Sequence, residues 1–182
     1  GRTDSGVHAI EQSAHFDCKI QIKQFDKFLK SLNFFLNNEQ IAILKVKKKN
    51  NYFHARFSAK MRIYKYIIIN RLGGTVLDKN RSWHIIKKLD LKLMKKGARK
   101  LIGKKDFSTY RASSCRAKSP IKTMKLVKIK NSKNKIEIEF RSQSFLQQQV
   151  RSMVGCLKYL GEKKWSLKKF ENVMKSKKRT SC

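Results

Sequence analysis

The chain has very little acid: 12 Asp and Glu stand against 45 Lys and Arg in 182 residues, a formal net charge of +33. Folding requires no such imbalance, and like charge works against a compact state, so a polyanionic partner is expected. There is no run of 18 or more apolar residues, which excludes a membrane-spanning helix. The first residues lack the basic, apolar and small-residue regions of a secretory signal, so a cytoplasmic location is expected. Cys18, Cys115, Cys156 and Cys182 form no C-x-x-C pair, and His8, His15, His54 and His84 show no H-x-x-x-H or mixed spacing. No zinc site is therefore expected, and the thiols read as reduced and mostly structural. Nor is there an internal repeat or a regular β-α-β alternation.

The apolar residues, 40% of the chain, are enough for one domain with a core or for two small lobes. Lysine-, Asn- and Ile-rich composition also follows from an AT-biased genome, so arginine is the more informative cation. Arg2, Arg56, Arg62, Arg111, Arg116, Arg141 and Arg151 lie beside aromatic or polar turn residues, whereas lysine fills the solvent faces.

Periodicity supplies the elements. Ala14 and Phe16 share one face of an expected strand, and Ile22, Phe25, Phe28, Leu29, Leu32, Phe35 and Leu36 recur as on an amphipathic helix ended by Asn37 and Asn38. Ile41 to Val46 reads as a short buried strand. From Arg62 to Ile69, period two sets Arg62, Tyr64, Tyr66 and Ile68 on a chemical face and Ile63, Ile67 and Ile69 on a core face. A helix capped by Asp90 turns Leu91, Met94, Ala98, Leu101 and Ile102 inward and stops at Gly103. Residues 106 to 120 are aperiodic and hydroxyl-rich, a functional loop. Residues 121 to 130 and 135 to 141 form a hairpin. Helices follow from Phe145 to Leu160 and after a Ser166 cap, the latter burying Leu167, Phe170, Val173 and Met174; Lys175 to Cys182 is expected to fray. Hairpins mixed with helices argue for an α+β fold, an antiparallel sheet with helices on one side.

The chemistry gathers at the start, in Gly1-Arg2-Thr3-Asp4-Ser5-Gly6-Val7-His8-Ala9. A carboxylate between two glycines is by itself an ordinary turn. Four further blocks follow in order: Phe53 to Ala59 (FHARFSA), Arg62 to Tyr66 (RIYKY), Asp106-Phe107-Ser108 with Arg111, and Phe145 to Gly155 (FLQQQVRSMVG). Together these resemble the TruA-type tRNA pseudouridine synthase family, whose motif G-R-T-D-A-G-V-H-A is matched everywhere except at Ser5. Gln147, Gln148 and Gln149 depart from the histidines usual in the last block.

The resemblance implies a pseudouridine synthase fold, an antiparallel or mixed sheet with flanking helices in two lobes around a basic cleft. Residues 1–55 would be the remainder of the N-terminal lobe, carrying the catalytic Asp loop, and 56–182 the C-terminal lobe. It implies an isomerase acting on uridines 38 to 40 of the tRNA anticodon arm as a homodimer, with no metal and no organic cofactor. Asp4 would be the nucleophile and Arg2 would fill the space left by the flipped nucleotide. Tyr64 would stack on the uracil and Arg151 would pair with Asp4, as its position among Val150, Met153 and Val154 also suggests. His8 and His54 are expected to be structural or to contact RNA. The chain begins with Gly inside a turn, and the family's preceding strand and helix and its final strand are missing, so a fragment is expected. The rival is a noncatalytic RNA-binding remnant.

Overall fold

The computed structural model describes residues 6–182, which divide into two compact units: Glu11–Ala59, and residues 6–10 with Lys60–Cys182.

In the smaller unit α1 (Phe25–Phe35) follows the apolar spacing, and Phe25, Phe28, Leu29 and Leu32 form its half-buried stripe. Phe35, expected on that stripe, is 80% exposed. The two short strands expected around Ala14 and over 41–46 do not form. An apolar run becomes a strand only beside a hydrogen-bonding neighbour. Here the Asn33 side chain substitutes for one: Nδ2 donates to the Ile43 carbonyl at 2.9 Å, and Oδ1 accepts from the Ile43 amide at 2.7 Å.

The larger unit is built on a five-stranded mixed sheet. Its strands are β1 (Arg62–Asn70), β2 (Trp83–Ile85), β3 (Gly103–Asp106), β4 (Ile121–Ser132) and β5 (Lys135–Ser142), in spatial order β2-β1-β5-β4-β3. Only β1 and β2 pair in parallel. The hairpin lies where alternation predicts it, with Lys133 taking a positive φ of 52° in the two-residue connection. A bulge between Met124 and Leu126 bends β4 against the end of β5.

Three helices, α2 (Leu91–Lys100), α3 (Gln149–Gly161) and α4 (Leu167–Lys175), complete the α+β architecture. Their apolar stripes meet Ile68, Val127, Ile129, Ile136, Ile138 and Phe140 of the sheet in one core. Both expected caps are made: Asp90 Oδ1 accepts from the Leu93 amide at 2.9 Å and Ser166 Oγ from the Lys169 amide at 3.1 Å. The seam between α2 and α3 is closed by two glycines. A Cβ on Gly97 would lie 2.4 Å from Leu160 Cδ2, and one on Gly161 would lie 2.7 Å from Met94 Sδ.

The C-terminal segment is ordered by specific contacts instead of fraying. After Lys177, at φ 56°, it turns back through the short 3-10 helix Arg179–Ser181, and Arg179 Nη1 donates to Ser152 Oγ of α3.

Candidate active site

Tyr64 lies near the start of β1, directly opposite Phe140, with Tyr66 opposite Ile138 and Ile68 opposite Ile136. Those partners are core residues, so the face carrying Tyr64 is continuous with the helix-covered core. This reverses the expectation that Tyr64 lies opposite the core face. The other face presents Ile63, half exposed, among charges, with Lys65 Nζ 3.2 Å from Glu137 and Arg141 Nε 2.5 Å from Glu139. Alternation shows which residues share a face; the cross-strand partners decide which face is covered.

Tyr64 is half-buried, and its ring meets Phe145 edge-to-face, 5.0 Å between centroids at 85°. Arg62, two residues earlier and opposite Ser142, donates from Nη1 to the carbonyl of Gln143. Together these contacts join the start of β1 to the connection between β5 and α3. Aromatic pairs of this geometry stabilise by about 0.5–1.5 kcal/mol beyond area burial. Phe145 was legible only as part of a motif; its role as the rest for Tyr64 depends on the β1–β5 register.

The same connection leads to Arg151. Gln148 takes a left-handed conformation, φ 63°, at the N-cap of α3, and its Oε1 accepts from Arg151 Nη1 at 3.3 Å. Gln149 is fully buried, and its Oε1 holds the Leu146 amide at 2.7 Å. Arg151 itself is exposed. Its expected burial among Val150, Met153 and Val154 is thus corrected: the helix turns the stripe of Met153, Val154, Leu157 and Leu160 inward and leaves residue 151 on the opposite side.

The loop that begins at Asp106 braces this region. Asp106 Oδ1 accepts from both the amide and the hydroxyl of Ser108, at 2.8 and 2.6 Å. The hydroxyl bond leads in holding its carboxyl below the usual range, against partial burial and with help from the Ser108 amide and Lys177. Arg111 Nη2 donates to the Cys115 carbonyl at 2.6 Å, and the Ala112 amide to the Gln147 carbonyl at 3.0 Å. The loop and the start of α3 are therefore one hydrogen-bonded block.

Arg2 and Asp4 lie outside the described residues. Gly6, in the same motif, has a positive φ of 81°, which suits a turn that only glycine enters freely. His8 is exposed. In the smaller unit, His54 Nδ1 accepts from the amides of Arg56 and Phe57 at 3.1 and 3.3 Å, a turn-closing role. A concavity of about 590 Å³ runs along Lys23–Lys30 at the start of α1 and contains none of the candidate residues. Among the described residues no group of three His, Cys, Asp or Glu side chains could hold a metal ion, and no helix is long and apolar enough to cross a membrane.

The family model described as tRNA pseudouridine synthase matches residues 98–182. Over 182 residues the chain is 69% identical to "tRNA pseudouridine synthase A" of Pelagibacter ubique, covering all of this chain and 74% of that relative. It is 42% identical to the proteins of the same name from Paramagnetospirillum magneticum and Xanthobacter autotrophicus, covering 70% and 74% of their lengths.

Proposed function

The chain belongs to the tRNA pseudouridine synthase A family, and from that premise we propose that it isomerises uridine to pseudouridine in the anticodon stem-loop of tRNA, at positions 38 to 40, with Asp4 as nucleophile. The observation that carries the reading is the identity of 69% maintained over every residue of the chain.

The reaction breaks the N1 to C1′ bond, turns the retained uracil and joins C5 to C1′, so the chemistry needs one nucleophile and a pocket that never releases the base. Asp4 supplies the carboxylate, attacking ribose or base. Arg151, its partner by the family resemblance, would favour its ionised form by opposing the cost of desolvation. Its exposed guanidinium, in the first turn of α3, donates to Gln148 Oε1. Tyr64, resting on Phe145, offers its ring to the uracil. Arg2 enters the space that the flipped nucleotide leaves, since a stacked uridine is out of reach of a carboxylate. A homodimer holds the anticodon arm, and the net charge of +33 supplies the attraction to its phosphates.

The test is pseudouridine formation on unmodified tRNA by this chain and by Asp4→Asn, read by chemical mapping of the anticodon arm. Product at uridines 38 to 40 that disappears in Asp4→Asn supports the proposal. Product from both proteins removes Asp4 from the chemistry, and tRNA binding without product from either favours the noncatalytic remnant.

A further inference from the structure

Cys156 is 1% exposed in the middle of α3, and its Sγ lies 3.3 Å from the Sγ of Cys182, which the C-terminal turn brings back against the helix. Cys182 is half-buried, whereas Cys156 is closed off in the core. The Cys182 thiol donates to the Ser152 carbonyl at 3.8 Å, and Arg179, three residues earlier, is anchored on the Ser152 hydroxyl. Tyr110 stands on the core side with its hydroxyl buried and without a hydrogen-bond partner.

The two thiols are unequal. The hydrogen bond from Cys156 brings Cys182 down to about 7, and the Arg179 guanidinium acts in the same direction against burial. The same hydrogen bond, followed by burial, pushes Cys156 far up, and burial does the same to the Tyr110 hydroxyl. The less buried sulfur, with the Arg179 guanidinium favouring its thiolate, is therefore the more nucleophilic one, and the buried one holds its proton more firmly.

We propose that Cys182 and Cys156 form a two-thiol site that reduces hydroperoxides and closes as a disulfide between the C-terminal turn and α3. The Cys182 thiolate attacks the terminal oxygen of the hydroperoxide. The O–O bond breaks, the alkoxide leaves and takes a proton from water, and Cys182 becomes a sulfenic acid. The Cys156 sulfur then attacks the Cys182 sulfur. The S–S bond forms as the S–O bond breaks, and the departing hydroxide leaves as water with the proton from Cys156. Two thiols are oxidised while one hydroperoxide is reduced to an alcohol and water. Neither sulfur belongs to the group proposed for uridine isomerisation, so the two activities fail independently.

The experiment exposes the folded chain to hydrogen peroxide in small excess, blocks remaining thiols with iodoacetamide and maps the peptides by mass spectrometry. The expected result is a Cys156–Cys182 cross-linked pair two hydrogens lighter, reversed by dithiothreitol, with Cys115 recovered alkylated once unfolded. Recovery of Cys156 and Cys182 as alkylated thiols while exposed Cys18 carries the oxidation overturns the proposal. Cys156→Ser should accumulate a sulfenic acid on Cys182 that dimedone traps. Cys182→Ser alters only the half-buried turn, so it serves if the core variant fails to fold. In it Cys156 should oxidise at least tenfold more slowly; oxidation at the wild-type rate would overturn the assigned order of attack.

Discussion

Replacing Phe145 with Leu separates the aim of Tyr64 from the presence of its hydroxyl and ring. Leucine retains most of the apolar area and removes the edge-to-face partner 5.0 Å from the Tyr64 ring. Such a pair is worth about 0.5–1.5 kcal/mol. If all of it holds the ring where the uracil stacks, the cost to transition-state stabilisation has the same ceiling. At about 1.36 kcal/mol per factor of ten, kcat/KM should then fall by about twofold to about thirteenfold. Affinity for tRNA should scarcely move, because phosphate contacts dominate it. The assay is single-turnover pseudouridine formation alongside filter binding of the same tRNA, with urea unfolding to verify that the variant is folded. Unchanged kcat/KM in a folded variant, or a loss accounted for by weaker tRNA binding, would refute the role of Phe145 as a rest for Tyr64.

Gly97→Ala should lower stability by about 1–2 kcal/mol in urea unfolding, since overpacking at about 1–3 kcal/mol exceeds the usual helix gain of about 0.5–1 kcal/mol. Gly161→Ala should cost less, because the Met94 thioether facing it bends more readily than Leu160; a stabilised Gly97→Ala would refute the close seam. Asp106 has a carboxyl pKa lowered on folding, so its stabilisation is complete above the unfolded value of about 3.9 and is lost as pH falls through the lower folded value. The urea midpoint of Asp106→Asn should accordingly lie below wild type at neutral pH and converge with it below about pH 4, whereas a constant gap into acid would show that the charge is irrelevant. Affinity for tRNA should fall about a thousandfold or more between 50 and 200 mM salt if six or more phosphates are neutralised. Asp4→Asn should follow the same slope, and a flat response would remove phosphate neutralisation from the binding account.

What was legible in the sequence was what neighbours along the chain decide. Asp90 and Ser166 cap the helices they were read to cap, the hairpin turns at Lys133 and Asn134, and Met94, Ala98 and Leu101 are buried at the spacing that predicts it. What escaped was decided by distant partners. β2 has three residues, and β3 reads Gly-Lys-Lys-Asp, too polar to show itself as a strand without the Ile121 to Met124 stretch that pairs with it. Ile41 to Val46 has a strand's composition but is answered by an asparagine side chain. Within the candidate site the motifs located Tyr64 and Arg151, but not the left-handed Gln148 that begins α3, nor the phase that exposes Arg151. The C-terminal turn was read as loose because its residues are polar; two sulfurs and the Arg179–Ser152 contact hold it.

Helix α3 is supported at both ends. At its start, the Gln149 side chain grips the Leu146 amide, and the Ala112 amide is bonded to the Gln147 carbonyl. At its finish, the Gly161 carbonyl accepts from the Asp90 amide at 2.8 Å. A rod fixed at both ends responds to a defect at midspan by bowing, and its tips stay where they are. Truncating Met153 or Leu157 should therefore drain stability while leaving residue 151 aimed as before, so this helix can drift in its core sequence without shifting the residues at its start.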